Sequence, residues 1–258
     1  MIHLRFTIHD SRFRPRYLIL AALICAANVF ATATNDFFAQ GVVACRAGQF
    51  PEAAADFEKS SAQQPACGTF DNLGLVEWQR GHAGAAILAW ERARWMDPFD
   101  PRANQNLRFA RTVAQVDGPE LKWFEAASTW LPPNAWAWIA GASLWLAAGA
   151  LVLPGVFRRR KSGGYQALAS LGFCIFLFSM TANIGVASRT DIGFIMKKDA
   201  PLLLTPTREG EVLSTLTAGE PARLLRARGN YFLIRTGFGT GWIERSQLGL
   251  VCPNSGVN

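Results

Sequence analysis

Histidine is scarce in this chain: three in 258 residues, with only His82 beyond residue 33. Cysteine is thin as well, and Cys45, Cys67, Cys174 and Cys252 are scattered beyond that point. A structural metal site needs Cys and His gathered together, and nucleophilic catalysis needs a base beside the nucleophile. No such set can be assembled, so the expectation is a protein with no catalytic residue, no metal and no cofactor, not an enzyme. Charge is sparse too, at 17% against the roughly 25% usual in soluble chains, while half of the residues are hydrophobic. That excludes a disordered tail or a fibrous protein, and the bunching of the apolar residues argues against a single soluble globule. The net charge of +7 is not a nucleic-acid footprint. Arg5, Arg12, Arg14 and Arg16 less Asp10, with the run Arg158-Arg159-Arg160-Lys161, account for all of it. Both groups sit beside hydrophobic segments, the mark of membrane topology, so no nucleic-acid partner is expected.

What is present is a series of long apolar runs. Residues 1–33 read as a signal peptide: basic residues to Arg16, an apolar stretch to Phe30, then Ala31-Thr32-Ala33, with cleavage after Ala33 or retention as an anchor. Residues 135–157 and 165–188 are each long enough to cross a hydrocarbon core of roughly 30 Å as a helix. The loop at 158–164 carries the basic run, which favours the cytoplasmic side. The parts before and after this hairpin then face the same exported compartment. No charged residue falls inside either span, so the hairpin reads as an anchor rather than an ion path.

Residues 34–100 repeat at an offset of 33: Phe37 with Phe70, Gly41 with Gly74, Gly48 with Gly81, Ala53 with Ala86, Phe57 with Trp90, Pro65 with Pro98. Such a period points to stacked helix pairs, with small residues at the crossings, aromatics between them and glycine at the turns. Asp100-Pro101 then opens a capping helix, predicted over 103–116, with Leu107, Phe109 and Val113 turned inward. In this order of residues, Phe37, Gly41, Gly48, Ala53, Phe57 and Pro65 in the first copy and Phe70, Leu73, Gly74, Gly81, Ala86, Trp90, Ala93 and Pro98 in the second, residues 34–116 resemble the tetratricopeptide repeat (TPR) family. Gln40 departs from it, standing where a Leu belongs. The resemblance implies a concave groove lined by the first helix of each pair. Its positions here are Asn35, Phe38, Val42, Cys45 and Arg46, then Asp71, Leu75, Trp78 and Gln79. That lining suits a peptide from a protein partner; the alternative is packing against the capping helix or the bilayer. Two repeats with a cap fall short of the three or so that a solenoid usually needs, so the array wants outside support. Cys45 and Cys67 fall on the groove side, either as a disulfide or as two thiols.

The juxtamembrane segment 117–134 is rich in Trp and Leu and reads either as an interfacial helix or as a packed linker. Beyond the hairpin, residues 190–252 change to short alternating runs at 201–204, 212–216, 222–225, 231–234 and 241–243, punctuated by Gly and Pro, before a tail at 253–258. The run Gly237–Gly241 is a hairpin turn rather than a phosphate loop, since no helix follows it. With Pro206, Gly229-Asn230-Tyr231 and the closing Gly241-Trp242-Ile243, this region is similar to bacterial SH3-like domains. The resemblance implies a small barrel in which Tyr231 and Trp242 either line a ligand face or fill the core.

The order of parts resembles the TPR/SH3 membrane proteins of the Bat (aerotolerance operon) family. The expected fold is thus a multidomain membrane protein: an α-helical TPR solenoid, a two-helix transmembrane hairpin and a small all-β SH3-like barrel. The resemblance implies a non-catalytic scaffold in the bacterial inner membrane, binding protein partners on the periplasmic side, in an aerotolerance or envelope stress complex. The alternative is a cell-envelope protein whose SH3-like domain holds peptidoglycan.

Overall fold

A computed structural model describes residues 36–156 and 163–252. The signal segment 1–33, Asn35, positions 158–162 of the basic loop and the tail 253–258 lie outside the described residues.

The repeat region forms two helical hairpins. Helix α1 (Asp36–Arg46) pairs with α2 (Phe50–Gln63), and α3 (Cys67–Gln79) with α4 (Ala83–Met96). Both turns close alike. Gly48 and Gly81 sit at φ +75° and +79°, and the residue after each donates to the carbonyl five positions back, Gln49 to Ala44 and His82 to Glu77. The 33-residue offset also fixes the crossings. A Cβ at Gly41 would fall 2.9 Å from the Phe57 ring, and one at Gly74 would fall 2.6 Å from Trp90 Nε1. Glycine is therefore what lets each aromatic seat against the paired helix, and Phe57 and Trp90 are almost wholly buried there.

Helix α5 (Pro101–Ala114) begins as its sequence requires, with the Asp100 carboxylate accepting from the Arg102 amide at 2.8 Å and Pro101 in the first turn. Its inward stripe differs from the expectation. Ala103, Leu107 and Ala110 are buried, whereas Phe109 is 56% and Val113 57% exposed. Leu107 and Phe109 are two residues, about 200°, apart on a helix, so they cannot share a face. The two alanines allow close approach to α4, and Phe109 lies edge-on to Trp78 instead.

A six-residue helix, α6 (Trp123–Ser128), precedes two long apolar ones, α7 (Pro133–Val156) and α8 (Gly163–Arg189). Gly163 and Gly164 of the expected loop are thus helical. Both α7 and α8 are long and apolar enough to cross a membrane. Their packing is the inverse of a soluble pair: small residues are buried and large apolar ones exposed, apart from Trp136, which is buried against Phe178 and donates to the Ser128 carbonyl. Ala140, Ser143, Ala147 and Ala150 face Ala169, Gly172, Ser179 and Ala182, while Trp138 and Trp145 are each 80% exposed. At Gly172 a Cβ would stand 3.0 Å from the Ser143 carbonyl, so the backbones nearly touch. The juxtamembrane segment takes the packed form. Helix α6 crosses α8 at Gly185, where any Cβ would strike the Phe124 carbonyl.

The remaining chain is an antiparallel sheet of seven strands: β1 (Ile192–Ile195), β2 (Ala200–Leu203), β3 (Val212–Leu216), β4 (Pro221–Arg228), β5 (Tyr231–Thr236), β6 (Gly239–Glu244) and β7 (Leu248–Leu250), in the order β3-β2-β6-β5-β4-β1-β7. Five of them coincide with the alternating runs. Residues 237 and 238 form the turn between the paired Thr236 and Gly239, as the absence of a following helix requires. Strand β1 escapes an alternation test because all four of its residues are buried. Leu202, Leu216, Ile234 and Ile243 are buried in one core, yet only β1 and β7 lie broadly against a helix. The sheet therefore curls over its own apolar face.

Sheet and repeats share a second core. Ile87, Leu88 and Trp90 of α4 pack with Ile192, Phe194 and Val251. Helix α4 is apolar almost all round and correspondingly buried on nearly every side. Gly84 meets the carbonyls of Ile195 and Met196, Gly219 meets Ile87, and Gly249 meets Leu88, each with no room for a Cβ. The Arg92 guanidinium donates to the Leu250 carbonyl at 2.8 Å. The support that a two-repeat array lacks comes from the sheet.

Candidate functional site

Three surfaces bear on function. The first is the face of α1 and α3. Phe38 is half-buried against Phe57, with ring centroids 5.7 Å apart, and Val42 and Cys45 pack on the same repeat core. Arg46 is exposed at the end of α1. In α3, Asp71 and Trp78 are engaged by α5. The Asp71 carboxylate accepts from Asn106 at 3.1 Å with Arg102 at 3.8 Å, and Trp78 is held between Trp90 and Phe109. Burial raises the Asp71 carboxyl above its ordinary value, against the lowering by Asn106 and Arg102. What remains open on this face is Leu75, 42% exposed, with Gln79 one turn on and Arg46 on the neighbouring helix.

Cys45 and Cys67 are both thiols. Cys67 Sγ donates to Asp100 Oδ2 at 3.3 Å, and burial, that hydrogen bond and the charges of Asp100, Asp97 and Asp71 push the thiol up to about 12. It is a poor nucleophile there. His82 is not idle: its Nδ1 lies 2.7 Å from the Glu77 carboxylate, which also takes Arg80 at 2.5 Å, closing the second repeat turn.

The second surface is the outer face of β5 and β6. Alternation sends Phe232, Ile234 and Ile243 inward and Tyr231, Leu233 and Trp242 outward. Leu233 stands directly opposite Trp242, with Tyr231 two residues along. Gly241 precedes Trp242 because a Cβ there would fall 2.6 Å from Leu202 Cγ. Trp242 and Tyr231 are half-buried on this outer side and do not belong to the inner core.

The third surface was not legible in the sequence. Glu125 of α6 is fully buried, and Arg223 of β4 grips it with both terminal guanidinium nitrogens, at 2.9 and 3.0 Å. Ser188 of α8 donates its hydroxyl to the same carboxylate, and the Lys122 amide donates at 2.9 Å. Burial alone would raise the Glu125 carboxyl, but these donors outweigh it and hold it below the ordinary range. Arg189, next in the chain, donates to Ser128 Oγ at 3.1 Å and lies 4.6 Å from the Trp95 ring of α4. Repeat, juxtamembrane helix, apolar hairpin and sheet are thereby tied together at one polar junction. The signals for it are slight: one acid within the aromatic stretch 121–131, and arginines ending α8 and interrupting β4.

No family model, curated protein or solved structure matches this chain.

Proposed function

We propose that the protein is a membrane-anchored, non-catalytic adaptor: a TPR-like groove and an SH3-like domain held on the exported, periplasmic side of a bacterial inner membrane by a two-helix anchor. The inverted packing of α7 and α8, small residues inward and, Trp136 apart, large apolar ones outward, supports the anchor. The observation that carries partner binding is the open strip on the first helices of the two repeats, where Leu75, Gln79 and Arg46 stay free after the sheet and α5 have taken the other faces. An apolar residue flanked by an amide and a guanidinium suits an extended protein segment. The Bat-like order of parts makes an aerotolerance or envelope stress complex the setting we favour. A photo-crosslinker at Leu75 or Gln79, in native membranes, is expected to capture the same protein, and one at Glu52, exposed on α2, is not. No capture from either position, or equal capture from Glu52, overturns the groove.

The paired Leu233 and Trp242 with Tyr231 favour a second reading, in which the outer face of β5 and β6 holds peptidoglycan. Co-sedimentation of the full chain with purified sacculi, lost in Trp242→Ala, is the expected result of that reading. Unchanged co-sedimentation of the variant overturns it.

A further inference from the structure

A basic cleft opens between α4, α5 and the juxtamembrane segment. It is formed by two adjoining cavities of about 500 and 260 Å³ that share Arg94 and Asn104 in their walls. Arg108 and Arg111 line the larger, and Arg189, Leu121 and Leu131 the smaller. Four arginines and no acid line the cleft. Glu91, buried behind it, is the one carboxylate ion-paired with them among the described residues, divided between Arg94, at 2.8 Å, and Arg111, while the charges of Asp117 and Glu125 act on Arg111 and Arg189 from farther off. Arg189 leans on Ser128 and the Trp95 ring, and Arg108 makes no ion pair among the described residues. Arg111 Nε is buried without a hydrogen-bond partner. Guanidiniums that outnumber the carboxylates around them, gathered in a concave site, attract a doubly coordinating oxyanion, and phosphate matches the guanidinium fork.

The location narrows the source of that phosphate. Arg189 is the last residue of α8, and Leu131 lies two residues before α7 begins. Trp130, beside Leu131, is 61% exposed, and Trp123 is 71% exposed on α6. Exposed tryptophans at the ends of apolar helices mark the level of lipid headgroups.

We infer that this cleft binds the phosphate of an anionic phospholipid headgroup, with Leu121 and Leu131 facing its glycerol and first methylenes. The lipid would then hold the open end of the repeat stack against the membrane. The inference rests on α7 and α8 spanning the bilayer, which extraction with alkaline carbonate reads separately: release of the chain defeats the anchor. In the membrane-embedded case, the purified full chain in neutral detergent is titrated with dioctanoyl phosphatidylglycerol, dioctanoyl phosphatidylcholine, inorganic phosphate and hexaglutamate, and bound probe is counted by native mass spectrometry. Saturable binding of one phosphatidylglycerol is expected, at least tenfold tighter than any other probe. Arg108→Gln and Arg94→Gln are each expected to weaken it about tenfold, the loss of one charge-assisted contact. Arg108 is exposed, so its variant carries the test even if Arg94→Gln unfolds. Phosphatidylcholine binding as tightly overturns the charge requirement. Inorganic phosphate or hexaglutamate binding as tightly overturns the lipid, and an unchanged affinity in Arg108→Gln overturns the cleft.

Discussion

Replacing Arg223 with Ala tests whether the polar junction holds the parts together. The substitution removes two charge-assisted hydrogen bonds, of 2.9 and 3.0 Å, from a carboxylate with no exposed surface. Removing one partner of a buried pair costs about 3–5 kcal/mol, because the other charge stays buried without compensation. Glu125 keeps the Ser188 hydroxyl and the Lys122 amide, which places the expected loss at the lower end, about 3 kcal/mol. Glu125→Gln is the milder change. The Arg223 side chain is 24% exposed and reaches water when its partner is neutral, so about 1–2 kcal/mol is expected. The double variant should lose less than the two single losses added together, because its second change no longer breaks a contact. The assay is reversible unfolding of the full chain in mixed micelles, followed by tryptophan fluorescence. An Arg223→Ala variant within about 0.5 kcal/mol of the parent, or a strictly additive cycle, refutes the reasoning. A pH series gives an independent reading. The folded Glu125 carboxyl is depressed from its ordinary 4.5, so its contribution is full above that value. It declines as pH falls below 4.5 and is gone once pH drops beneath the depressed value. Arg223→Ala should flatten that acid limb, and an equally steep limb in parent and variant counts against the assignment.

Two further outcomes follow from the repeat region. In α3, Gly68 faces open space whereas a Cβ at Gly74 would press on Trp90, whose indole is pinned to the Asp71 carbonyl at 3.2 Å. Gly68→Ala should therefore stabilise by up to about 1 kcal/mol and Gly74→Ala destabilise by about 1–3 kcal/mol in the same melt, and like signs would refute the crossing geometry. With Cys67 pushed up to about 12, roughly one thiol in ten thousand is ionised at pH 8, so iodoacetamide should label it far more slowly than it labels the unfolded chain. Asp100→Asn removes the nearest negative charge and leaves one acceptor oxygen, which the Arg102 amide also uses, so it should speed labelling; rapid labelling of the parent refutes the hydrogen bond.

Local rules carried most of the elements. The offset that pairs Gly48 with Gly81 and Phe57 with Trp90 works through contacts within one helical hairpin, so the chain order alone exposes it. The Asp100-Pro101 start of α5, the apolar lengths of α7 and α8, and the positions of strands β2 to β6 are legible for the same reason. Where a residue answers to a distant neighbour, legibility fails. Trp78 and Asp71 carry a groove pattern by position, yet α5 takes them up, because Phe109 and Asn106 arrive from the far side. Strand β1 carries no alternation, since helix and sheet cover both its faces.

The sequence by itself determined where each helix turns, which runs are apolar enough for a bilayer and which residues alternate in the strands, since those depend on backbone conformation and on neighbours a few residues away. Only the tertiary structure decided that α4 is the shared wall of repeats and sheet, and that Glu125, Ser188 and Arg223 meet. Those partners lie 63 and 98 positions apart in the chain. A buried charge is tolerated only where its counter-charge and donors converge in space, and no spacing along a chain encodes that convergence.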